Sequence, residues 1–118
     1  MLSVRVSSAG STLVNGAYQQ RNAVIVPRGF AKVCEEMGWP TAGMWEKLSD
    51  MKRPWYEASN GAYMYWNQSD RQWWIDEPSG AGVYVALSDD ESPPTRGWRA
   101  LPGGRQPLPE LVIEKGSV

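Results

Sequence analysis

Apolar and polar residues alternate over residues 2–6, the period of a strand with one covered face. Residues 7–12 are small and polar and predict a loop. Asn15 followed by Gly16 is a strong turn signal. Residues 24–26 predict a second short strand, stopped by Pro27. The period then changes. Phe30, Val33, Cys34 and Met37 fall on one face of a helix, Gly38 stands where a left-handed cap belongs, and Pro40 lies just beyond. Thr41 is placed to cap a second short helix carrying Met44, Trp45 and Leu48. Residues 28–50 are therefore expected to form two short helices with a bend over residues 38–40.

Pro54 restarts an extended chain. Strands are expected over residues 55–58, 62–67, 72–76 and 82–87, separated by Asn60-Gly61 and by turn-like links at 68–71 and 77–81. An acidic, proline-rich loop follows over residues 88–97, then a short edge strand over 98–101. From Pro102 the chain predicts an irregular or mobile tail in which residues 111–113 are able to dock. No internal repeat is present. The expected organisation is one aromatic-rich domain over residues 1–101, with the helical insertion at 28–50, and the tail over 102–118.

Turn lengths set the pairing of the meander, because residues directly opposite in antiparallel strands share a face. A turn centred on Ser69 and Asp70 sets Trp66 opposite Trp73, Tyr65 opposite Trp74 and Met64 opposite Ile75. A five-residue loop over 77–81 sets Ile75 opposite Val83 and Trp74 opposite Tyr84. A two-residue turn at Asn60-Gly61 sets Tyr56 opposite Tyr65 and Trp55 opposite Trp66. One face then carries Trp55, Met64, Trp66, Trp73, Ile75, Val83, Val85 and Leu87. This face is the expected core, covered by the helices. The other carries Tyr56, Tyr63, Tyr65, Trp74, Asp76 and Tyr84, rings with polar tips suited to a boundary between apolar and wet surroundings. The fold class expected is α+β: a twisted antiparallel β-meander with two short helices packed on one face. The N-terminal strands extend or close the sheet toward a partly open barrel.

Composition narrows the chemistry. There is no histidine, which removes imidazole bases and ligands, and one cysteine, which leaves no internal disulfide and no thiolate cluster for a metal. Twelve basic residues balance thirteen acidic ones, so an electrostatic hold on nucleic acid or an anionic membrane is not expected. No enzyme, cofactor or metal site is expected. Asp89, Asp90 and Glu91 lack the spacing of a calcium loop and read as a solvated loop. Asp76 with Glu57 is a conceivable carboxylate pair for glycoside hydrolysis, of a kind any short acidic chain offers. Cys34, on the apolar stripe of the first helix, is expected to be an inert core thiol. Seven tryptophans and five tyrosines point to an interaction module. Tyr56, Tyr63, Tyr65, Trp74, Asp76 and Tyr84 are the candidate ligand-binding residues, for a protein or peptide partner. A glycan on the same face, or a purely structural domain, is the alternative. With no apolar leader-like stretch at its start and a single unpaired cysteine, the chain is expected in an intracellular, cytoplasmic setting.

The segments VSSAGSTLVNGAY and PWYEASNGAYMYWNQSDRQWWIDEPSGAGVYVA, with Pro93-Pro94 and Gly97-Trp98 beyond them, resemble a Trp-rich VNGxY-type repeat module found in multidomain proteins of protists and algae. The likeness covers about two thirds of the chain. Residues 21–50 look like an insertion relative to it, and Ser8 stands where the family usually has Gly. The resemblance implies a non-catalytic interaction module. A weaker likeness is to WW domains, through the spacing of Tyr65, Asn67 and Pro78. There the ligand-facing Trp is out of register by one, and the groove histidine is missing.

Overall fold

The computed structural model describes residues 2–115. Its strands are β1 (Leu2–Ser7), β2 (Gly16–Arg21), β3 (Trp55–Ala58), β4 (Tyr63–Asn67), β5 (Gln72–Asp76), β6 (Gly82–Leu87), β7 (Arg99–Ala100) and β8 (Glu110–Lys115). All pair antiparallel in one sheet of order β7-β6-β5-β4-β3-β2-β1-β8. The first seven form a meander, and β8 returns to the free edge of β1. Two helices, α1 (Arg28–Met37) and α2 (Thr41–Leu48), are inserted between β2 and β3. This is the α+β meander expected from the sequence, curled into a half-barrel. Among the described residues, no helix is long and apolar enough to cross a membrane.

The curl makes a core from strands far apart in the sheet. Val4 and Val6 of β1, Tyr18 of β2, Tyr56 of β3, Met64 of β4, Trp73 and Ile75 of β5, Tyr84 of β6 and Leu111 of β8 all join one buried cluster. Loops close its open side. Gly10 N–H bonds to Pro107 C=O at 2.9 Å, and a side chain at Gly10 would meet Gln106 O at 2.1 Å. The Tyr84 hydroxyl accepts from Ser11 N–H at 2.9 Å and donates to Arg105 C=O at 2.5 Å. These bonds satisfy polar groups that would otherwise be enclosed unpaired.

The helices lie on the opposite face. Gly38 ends α1 in the left-handed region (φ 72°), with its N–H and that of Trp39 bonded back to Glu35 and Cys34, a glycine C-terminal cap as expected. Pro40, not Thr41, occupies the cap position of α2, and no side chain caps that end. Phe30, Cys34 and Trp45 bury against Trp55, Tyr63 and Tyr65. The expectation that the helices cover the Trp66–Trp73–Ile75 face is thus corrected. The sheet covers that face by curling onto itself, and the helices cover the tyrosine face.

Register explains how residues moved between faces. The β4–β5 pairing is as expected, with Tyr65 opposite Trp74 and Trp66 opposite Trp73. The β3–β4 link is a three-residue loop closed by Ala58 N–H to Ala62 C=O, with Gly61 at φ 95°, a frequent longer alternative to the two-residue turn. Tyr56 therefore sits opposite Met64, and Trp55 and Tyr56 exchange faces. At β5–β6 the loop closes as expected, with Asp76 opposite Gly82, but an irregularity between Ile75 and Asp76 advances the rest by one residue. Tyr84 then lies opposite Ile75 and not Trp74.

Two further expectations are corrected. Residues 24–26 are not a strand. The Asn22 side chain accepts from Val24 N–H at 3.0 Å, a local bond that competes with sheet pairing. The Trp45 indole N–H donates to the Ala23 carbonyl at 2.9 Å and the Trp55 indole N–H to the Ile25 carbonyl at 2.8 Å. The strand in this part of the chain is β2, whose only buried residue is Tyr18. Residues 110–115 are not an irregular tail: they form β8, paired with β1 from Leu2–Lys115 to Ser7–Glu110. Leu111 is 5% exposed and Val112 55% exposed. Leu111→Ala should therefore cost roughly 2–5 kcal/mol in urea unfolding, by lost burial and the cavity left behind. Val112→Ala should stay within about 0.5 kcal/mol of wild type. Equal, small effects at both positions would show that β8 adds nothing to the core.

Candidate functional site

Trp45 is the hub of the helix-covered face. Its ring meets Phe30 at 5.0 Å (75°), Tyr65 at 5.3 Å (48°) and Trp55 at 6.4 Å (76°). Trp55 meets Tyr63 edge-on at 6.2 Å, and Tyr63 stacks near Tyr65 at 6.1 Å. Edge-to-face pairs at these distances are the favoured arrangement of ring quadrupoles. Between the helices and strands β4–β6 this packing leaves a cavity of about 390 Å³. Phe30, Trp39 and Met44 line it from the helical side, and Tyr63, Tyr65, Trp74 and Asp76 from the sheet. Trp39, 45% exposed, is its most open aromatic wall. Glycines close one side: Gly80 has φ 92°, and a side chain there would strike Val33 and the Gly29 carbonyl within 2.5 Å. A side chain at Gly82 would meet the Trp74 ring at 2.8 Å.

The chemistry of this cavity centres on Asp76. It stands at the β5–β6 irregularity, and a bulge is a device that re-aims a side chain. It is 5% exposed, and its Oδ1 has no hydrogen-bond partner. The Tyr63 hydroxyl, equally enclosed, faces this carboxyl as its nearest donor, without a well-formed hydrogen bond between them. Burial pushes the Asp76 carboxyl up to about 7, partly offset by the neighbouring Tyr63 hydroxyl. Burial first, and the Asp76 charge second, raise Tyr63 and Tyr65 far above the ordinary phenol range. The other polar groups here are occupied. Asn67 Nδ2 donates to the Tyr65 hydroxyl at 3.3 Å, and the Trp74 indole donates to Asp70 at 3.0 Å. The Cys34 thiol is buried and its pKa raised by burial, with a Thr41 hydrogen bond acting the other way.

Four of the six candidate residues, Tyr63, Tyr65, Trp74 and Asp76, come together in this cavity. Tyr56 and Tyr84 do not. The two register changes place them in the half-barrel core, 1% and 0% exposed. Glu57 is held by Arg21 (3.1 Å) and Arg28 (3.3 Å) and is not paired with Asp76. The acidic loop is not simply solvated: Arg71 pairs with the Asp89 carboxylate, and Arg53 bonds to the Asp89 and Asp90 carbonyls while lying 3.8 Å over Trp66. Phe30, Trp39 and Met44 were missed as site residues. Their only signal was Trp39, which stands outside the apolar stripe of α1. Among the described residues, no group of three or more Cys, Asp or Glu side chains could hold a metal ion. A scan against protein-family models, a search of curated proteins and a search of solved structures each found no match.

The buried carboxyl sets a pH dependence. Between pH 3.8 and about 7 the folded chain binds a proton at Asp76 that the unfolded chain releases. Stability from this group is therefore highest below about pH 4, falls as pH rises, and is flat above about pH 7. The full difference is roughly 4 kcal/mol. Asp50, whose carboxyl is lowered by the Arg53 and Lys52 amides and the Arg53 guanidinium against its own desolvation, acts in the opposite sense and at lower pH. Urea unfolding across this range should show the decline in wild type and its absence in Asp76→Asn. Parallel profiles would mean that Asp76 titrates as an ordinary surface carboxylate.

Proposed function

We propose that the chain is a non-catalytic recognition module that seats a compact, largely apolar ligand between its helical pair and strands β4–β6. The observation that carries this reading is the aromatic cavity itself: a volume of about 390 Å³ lies in the range of small-molecule sites, mostly apolar with a few polar groups that fix orientation. The half-exposed Trp39 gives a ligand its point of contact with solvent. A flat platform for a proline-rich peptide or a sugar is the weaker reading, because Tyr63 and Tyr65 are covered by Phe30 and Trp45. A non-catalytic role accords with the missing histidine and the raised, enclosed Cys34 thiol, which lack the activation a nucleophile needs.

Filling the cavity tests the reading. Met44 is half-buried and lines the cavity wall, so Met44→Trp should occupy the space without breaking α2. In a fragment screen by two-dimensional NMR, small apolar fragments should shift the Trp39 and Trp74 indole signals of wild type. Those shifts should be lost in folded Met44→Trp. Fragments that bind both proteins alike, or no fragment binding at all, would place recognition elsewhere.

A further inference from the structure

The cavity carries an acid without a counter-charge. Asp76 is its one carboxylate, and Lys and Arg are absent from its lining. The nearby cations have other duties. Arg21 and Arg28 hold Glu57, Arg53 holds Asp50, and Arg71 holds Asp89. Lys32 of α1 and Lys47 of α2 are exposed. An ionised carboxylate in such a place is costly unless something charged and hydrogen-bonding meets it. Around it stand the rings of Tyr63, Tyr65, Trp74 and Phe30, whose faces attract cations. Beside it stands the Tyr63 hydroxyl, which makes no well-formed hydrogen bond.

We propose that the cavity takes a protonated amine that bears at least one N–H, carried on an apolar body, with Asp76 as its counter-ion and Tyr63 as a second hydrogen-bond partner. The proposal rests on the cavity being a ligand site, as argued above. The N–H is required because an ionised Asp76 with only the poorly placed Tyr63 hydroxyl beside it needs a further hydrogen-bond donor, which a quaternary ammonium does not supply. The apolar body is required because the rest of the wall is mostly hydrocarbon and aromatic, and its other polar groups, the Asn67 amide and the Cys34 thiol, already have partners within the chain. A free amine of this kind fits better than a lysine side chain, whose thin aliphatic stem would leave much of the 390 Å³ empty.

Calorimetric titration of the full chain with 2-phenylethylamine and 2-phenylethanol separates the possibilities, because the two share one body and differ in charge. At about pH 8 the amine should bind at least about tenfold tighter than the alcohol. The advantage should shrink toward about pH 5.5 as Asp76 takes up a proton. The other titratable groups lining the cavity, Tyr63 and Tyr65 from β4 and Cys34 from α1, are all raised by burial and stay neutral over this range. Asp70, bonded to the Trp74 indole, is the remaining charged group at this wall, and Asp70→Asn should keep the pH dependence. Asp76→Asn should abolish the amine's advantage over the alcohol. If that variant does not fold, the wild-type pH dependence carries the test. Alcohol binding as tightly as amine at about pH 8 would overturn the proposal while leaving a ligand cavity in place. A trimethylated analogue binding as tightly as the amine would overturn the N–H requirement. If neither probe binds, the amine proposal falls. The proposed function falls with it only if the fragment screen is also blank.

Discussion

A single sheet that carries aromatic rings on both faces has to find cover for both, and every feature of this chain follows from how it does so. One face is buried by curvature. Eight strands curl until Val4, Val6 and Leu111 from one edge meet Tyr84 and Ile75 near the other. The second face cannot be covered by the same curl, and the α1–α2 insertion between β2 and β3 supplies its cover. Two indoles tie that insertion down. Trp45 and Trp55 donate to carbonyls of the loop entering α1, and Trp45 fills the space between the helices and Tyr65.

The same arrangement accounts for the site. Two short helices with few large side chains do not fill the whole width of β4–β6, and a cavity remains beside Trp74. Asp76 is enclosed there by the bulge that ends β5. Burying one aromatic ring removes roughly 150–250 Å² from water, worth roughly 4–6 kcal/mol at about 25 cal/mol per Å². The Phe30–Trp45–Trp55–Tyr63–Tyr65 cluster therefore outweighs one unpaired carboxyl several times over. A fold stabilised mainly by rings tolerates a polar group that costs it stability, and such a group is where recognition chemistry is expected.

Much of this was legible in the residues. The helical spacing of Phe30, Val33, Cys34 and Met37, the glycine cap at Gly38 and the β4–β5 register all stand in the structure as read. The faces were not fully legible, for a physical reason. A side-chain period of two turns any one-residue irregularity into a change of face. The Asn60-Gly61 signal fits both a two-residue turn and a three-residue loop ending in a left-handed glycine. Nothing in Ile75-Asp76 announces a bulge. Tyr56 and Tyr84 thus moved into the core, while Tyr63, Tyr65, Trp74 and Asp76, anchored by the well-defined β4–β5 hairpin, kept one face. β2 and β8 were hidden because each buries a single residue, Tyr18 and Leu111, which is too little for an alternating pattern. Trp39 and Met44 joined the site through the docking angle of the helices, a tertiary property.

An enclosed carboxyl without a counter-charge stands at the wall of an aromatic cavity. The most direct measurement is a carbon-detected NMR titration of the Asp76 side-chain carboxyl in the ligand-free chain. The expected midpoint is about 7, far above the ordinary carboxylate value. A midpoint at or below about 4 would contradict it, showing that Asp76 is solvated or already paired within the chain.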